Sequence, residues 1–132
     1  RVLRRKINFS FGMTYRKRAK RQYRPPIPRQ NIRWASKYLA KKGVRSAYMF
    51  GSGLRVPNPA HDLDIAVDLP PTVENRRKFE DAVSYGIDLF LLGPLNELFS
   101  VGLDDYLYTD KGELQDLESV GACKFKVKLN EV

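Results

Sequence analysis

The sequence predicts an α/β (α+β) domain, a mixed β-sheet flanked by helices, preceded by an extended basic arm. Three observations predict it. Between residues 30 and 132, short apolar runs of strand length alternate with stretches of helical period, and glycine and proline clusters separate them. Charge is divided along the chain: 17 Lys and Arg and no acid precede Asp62, while 7 bases and 15 acids follow from there. The net +9 therefore averages a basic N-terminal half and an acidic body.

Residues 1–29, RVLRRKINFSFGMTYRKRAKRQYRPPIPR, carry 11 Lys and Arg and no sustained period, so they read as the arm. Its bases include Arg4, Arg5, Lys6, Arg16, Lys17, Arg18, Lys20, Arg21 and Arg24, and Phe9, Phe11, Tyr15 and Tyr23 are interleaved with them. That composition neutralises phosphates while offering rings for base stacking, so RNA or a ribonucleoprotein is the expected partner. The same composition also suits a plain solvated tail or the remnant of an organellar presequence.

Pro25, Pro26 and Pro28 form a stiff joint, after which Asn31 is placed as N-cap of a helix to about Lys42, stopped by Gly43. Ile32, Ala35 and Leu39 give its apolar stripe, with Trp34 and Tyr38 beside them as core; Arg33, Lys37, Lys41 and Lys42 stay polar. A strand follows at Val44–Phe50, then the Gly51–Gly53 break, and LDIAVDL forms a second strand. PPTVENRRKFEDAVSYG suits one amphipathic helix ended by Gly86, with Arg76, Arg77 and Lys78 as a solvated cluster. The apolar run Ile87–Leu92 is a buried strand. A short helix around Leu95–Val101 and a strand at Tyr106–Tyr108 are expected next. KFKVKL alternates lysines with Phe125, Val127 and Leu129, the pattern of a protected edge strand.

Several function classes fall away. No apolar run approaches the roughly 20 residues of a membrane span. Cys123, the sole cysteine, supports neither an internal disulfide nor a cysteine-based zinc cage. With no signal peptide, the expected location is intracellular, in the cytoplasm or an organelle matrix.

Candidate chemistry is concentrated in YMFGSGLRVPNPAHDLDIAVDL. A strand runs into Gly51-Ser52, where a glycine lets backbone approach a phosphate and a serine hydroxyl with the turn amides can bond it. Arg55 adds a positive charge. Nine residues separate Ser52 from Asp62, and Asp62 and Asp64 share strand parity and would lie roughly 6–7 Å apart on one side. Asp88 opens the apolar strand, an odd place for a carboxylate to pack. Three acids on neighbouring strands repel unless a cation sits between them, which predicts two Mg²⁺ ions and an activated hydroxyl. His61 reads as a loop cap and Asp68 as a strand exit.

Gly51-Ser52 with Arg55, Asp62-Leu63-Asp64 and Asp88 resemble the signature of minimal nucleotidyltransferase domains of the DNA polymerase β superfamily. The resemblance covers about Ile32 to Asp110. It implies the nucleotidyltransferase fold, a nucleoside triphosphate held by Gly51, Ser52 and Arg55, metal bound by Asp62, Asp64 and Asp88, and Asp88 as base toward the acceptor hydroxyl. It implies transfer of a nucleoside monophosphate with loss of pyrophosphate. Val56 stands where the family often has glycine, and Pro57 and Pro59 stiffen a loop the family usually keeps freer. Two other functions fit the sequence: a non-enzymatic, ribosomal-type RNA-binding component that reuses the fold, and an antitoxin-like domain that nucleotidylates a partner protein.

Overall fold

Helix α1 spans Arg29–Lys41 in the computed structural model, which describes residues 27–55 and 62–129. The basic arm's residues 1–26, and with them Arg4 to Arg24, lie outside the described residues, as do Val56, Pro57, Pro59 and His61. The helix starts two residues before the expected cap. Pro28 occupies the N-cap, its fixed φ of −57° suited to helix entry, and its carbonyl accepts from the Asn31 and Ile32 amides. Asn31 is thus inside the first turn and its side chain is released for another task. Gly43 ends the helix as expected, at φ +78°. Ala35, Tyr38 and Leu39 are buried against the sheet, and Trp34 sits at the margin, its Nε1–H donating to the Tyr85 carbonyl at 2.8 Å.

Strand β1 is Ser46–Phe50, β2 is Leu63–Ala66 and β3 is Ile87–Leu92. Between β2 and β3 the single expected helix is two elements. Helix α2, Val73–Lys78, is capped by Thr72, whose Oγ1 accepts from the Asn75 amide at 3.1 Å; a 3₁₀ segment then runs Glu80–Tyr85. The break falls at Phe79, a fully buried ring: tightening the winding past it lets Phe79 and Ala82 both reach the core. Gly86, at φ +72°, turns the chain into β3; a Cβ there would meet the Trp34 ring at 2.8 Å.

The expected helix at Leu95–Val101 is instead strand β4, Leu98–Ser100. A tight turn through Pro94 and Asn96, the latter at φ +64°, folds the chain back antiparallel on β3. Leu98, Phe99 and Ser100 are all buried, which a one-sided surface helix would not allow. Strand β5 is Asp105–Tyr106, and Tyr108 makes only an isolated bridge to Leu114. Strand β6, Cys123–Lys126, buries Cys123 and Phe125 and exposes Lys124 and Lys126.

The strands form one mixed sheet in the order β5-β4-β3-β2-β1-β6, with β2 and β3 parallel and the other neighbours antiparallel. Its lysine-lined β6 is an edge, as its pattern predicts. Strand β3 is apolar on both sides because both faces are covered. Leu89 and Leu91 join the core under the helices, whereas Phe90 and Leu92 pack with Phe50, Ala66 and Leu98 beneath the segment carrying Leu117 and Val120. Among the described residues, no helix is long and apolar enough to cross a membrane.

Candidate functional site

Strand β1 runs directly into a 3₁₀ turn, Gly51–Leu54. Gly51 is required there twice over. Its φ is +69°, and a Cβ would collide with the Asp64 carboxylate. Gly53 is buried, where a Cβ would press on Met49 Sδ at 2.9 Å and Leu63 Cδ2 at 3.1 Å. Its carbonyl accepts from the buried Asn31 Nδ2 at 2.7 Å, so the first turn of α1 holds the glycine turn in place. Asn31 is the residue whose role the sequence misassigns: a cap and a long-range tether use the same amide, and spacing alone does not separate them. Ser52 is half-buried and its carbonyl accepts the Arg55 amide at 3.0 Å, while Arg55 is exposed at the end of the turn.

The carboxylates meet this turn from the neighbouring strands. Asp64 pairs with Phe50 across the antiparallel β1–β2 ladder and with Asp88 across the parallel β2–β3 ladder. Gly51, Asp64 and Asp88 therefore gather at one end of three adjacent strands. Asp64 and Asp88 are half-buried and hydrogen-bonded carboxyl to carboxyl. Burial, then the charges of Asp88 and Asp62, push the Asp64 carboxyl up to about 7. Burial and the charge of Asp62 raise Asp88 as well, while the hydrogen bond with Asp64 opposes that rise. In that hydrogen bond Asp64 donates and Asp88 accepts, which favours the protonated form of Asp64 and the ionised form of Asp88.

This arrangement corrects the expected magnesium centre. Among the described residues, no group of three or more His, Cys, Asp or Glu side chains is disposed to hold a metal ion. The parity that was to align Asp62 with Asp64 depends on both being in the strand, but β2 begins at Leu63 and Asp62 is in the exposed bend before it. The two-Mg²⁺ expectation is withdrawn.

Beside the pair opens a cleft of about 610 Å³. Asp62, Glu80 and Asp88 stand on its wall with Phe79, Ala82, Leu89 and Val101, so its lining combines acids with apolar surface. Elsewhere, Arg76 donates to Asp104 at 2.9 Å, which gives one member of the expected solvated cluster a partner. Asp68 is exposed just beyond β2, as expected of a strand exit.

No family model, curated protein or solved structure matches this chain.

Proposed function

We propose that the chain is a nucleotidyltransferase-type domain that passes a nucleoside monophosphate from a nucleoside triphosphate to an acceptor hydroxyl. The observation that carries this reading is the convergence of Gly51 with the Asp64–Asp88 pair: the glycine turn and the carboxyls share one strand end, packed so closely that Gly51 tolerates no Cβ. A mixed sheet with these motif elements together is what the sequence resemblance implies. In this reading the turn amides, the Ser52 hydroxyl and Arg55 take the triphosphate. The acceptor oxygen attacks the α-phosphorus, the bond to the β-phosphate oxygen breaks and pyrophosphate leaves. Asp88, the ionised member of the pair, takes the acceptor proton. The adjoining cleft gives the acceptor or the nucleoside a place beside Asp88.

A second reading is favoured by one observation of its own. With Asp64 and Asp88 half-buried, in register and hydrogen-bonded to each other, and no metal-holding group among the described residues, the acids also suit a non-enzymatic ribonucleoprotein component in which they are structural. Transfer of label from α-phosphate-labelled nucleoside triphosphates, with RNA and with protein as acceptors, separates the two. Incorporation by the wild-type chain that falls about a hundredfold or more in Asp88→Asn supports transfer. Equal silence of both, with and without added divalent cation, leaves the structural reading. Labelled protein with unlabelled RNA places the acceptor on a partner protein, the antitoxin-like case.

A further inference from the structure

On the other side of α1 from the core, Arg33, Lys37 and Lys41 follow one another at i, i+4 and i+8, a row with steps of about 6 Å. All three are exposed. The chain leaving β6 comes to lie against this row because the Lys128 backbone N–H donates to the buried Ser36 hydroxyl at 2.8 Å. That contact spans 92 positions and brings Lys128 into line with the helix cations. Between the two segments runs a groove of about 510 Å³, with Arg33, Lys37, Lys41 and Lys128 on its walls and Ala40 and Leu129 supplying apolar surface. Among the described residues no acid lines it. Among them the ion pairs are Lys42 with Asp81 and Arg76 with Asp104; Lys41 also donates to the Tyr85 hydroxyl at 3.4 Å, a neutral partner that leaves its charge in place.

We propose that this groove binds the phosphodiester backbone of a nucleic-acid strand. Like charges repeated every fourth residue destabilise a helix by a few tenths of a kcal/mol per pair, a cost that a polyanion laid along the row removes. A concave channel with stepped cations and, among the described residues, no acid follows a linear series of phosphates, and exposed Leu129 offers the strand an apolar wall. The groove takes its described lining residues from beyond residue 29. It stands whether or not the carboxyl pair transfers nucleotides.

The test uses the full chain, so that the arm contributes equally to both proteins compared. Fluorescence anisotropy with labelled oligo-U RNA and oligo-dT DNA is measured across a salt series for wild type and for Arg33→Gln/Lys37→Gln/Lys128→Gln. Each phosphate contact adds about 0.7 to the dependence of log K on log salt for a single strand, so the triple variant is expected to lose about 2 from that slope. It should also bind about tenfold or more weakly at low salt. These side chains are exposed, and an unchanged thermal transition followed by Trp34 fluorescence establishes that the variant is folded. In parallel, bound oligonucleotide should protect Lys37 and Lys128 from acetylation, read by mass spectrometry. Slope loss with RNA alone or with DNA alone assigns the strand type and supports the proposal. An unchanged slope with both strands overturns it, as does loss of binding only to phosphatidylserine vesicles.

Discussion

Asp64 and Asp88 stand in register on parallel strands and are hydrogen-bonded to each other, with Asp64 Oδ2 packed where a side chain on Gly51 would have to be. Their coupling has a consequence for stability that depends on pH. Burial first, then Asp88 and Asp62, holds the Asp64 carboxyl at about 7, against about 3.9 in an unfolded chain. Between about pH 4 and pH 7 the folded protein keeps a proton that the unfolded chain releases, so stability falls as pH rises through that window. Asp88, also raised, acts in the same direction. Asp64→Asn keeps a donor toward Asp88 without the charge. Its melting temperature should match wild type near pH 4 and exceed it by about 4–8 °C at pH 8, for roughly 1 kcal/mol after allowance for solvent screening. A gap that does not widen with pH would sink this assignment.

Gly51 and Gly43 make a controlled comparison. Both have positive φ, but a Cβ at Gly43 meets open space, whereas at Gly51 it strikes the Asp64 carboxylate. Gly43→Ala should cost about 1–2 kcal/mol, the left-handed penalty alone. Gly51→Ala should cost clearly more and should disturb the Asp64 titration followed by carboxyl NMR. Equal losses in urea denaturation would mean that the Gly51–Asp64 contact is not tight.

Asn31→Ala removes the buried donor to the Gly53 carbonyl and leaves that acceptor unpaired, an expected loss of about 1–3 kcal/mol. Asn31→Asp should be at least as damaging, because a carboxylate aimed at a carbonyl repels it. If the role were helix capping, aspartate would substitute well, so the order of the two variants in urea melts decides between tether and cap.

Tyr38→Phe deletes the hydroxyl that donates to Asp81 at 2.5 Å. That hydrogen bond, followed by Lys42, holds the Asp81 carboxyl below its usual range. The stabilisation is present above about pH 4 and is lost as pH falls and Asp81 protonates. Tyr38→Phe should therefore cost about 1 kcal/mol at pH 7, with the difference from wild type shrinking below pH 4. A difference constant from pH 7 to pH 3 would place the effect in packing.

Local patterns carried much of the architecture. The Ile87–Leu92 run matches β3 residue for residue, and the alternation in KFKVKL marks the edge strand β6, because burial on two faces or one imprints itself directly on residue order. Gly43 and Gly86 mark helix and segment ends because only a glycine adopts their backbone at little cost. Leu98–Ser100 was not legible as a strand. Its three residues are too few for a period, and what makes them β4 is a partner, β3, already in place.

The candidate site divides the same way. Residue types and spacing were enough to single out Gly51, Ser52, Asp64 and Asp88, since glycine beside a strand end and acids on apolar strands are costly choices for packing alone. Which of those acids meet was decided by register. Parallel pairing sets Asp64 against Asp88 in a half-buried place and leaves Asp62 outside the strand. The groove is wholly a tertiary product: Lys128 and Arg33 are remote in sequence, and only the Ser36 hydrogen bond across the fold makes one row of their charges. Order along the chain determined which residues the candidate site draws on, because composition and periodicity are local. Packing decided which groups meet, because distance in the fold is not distance in the chain.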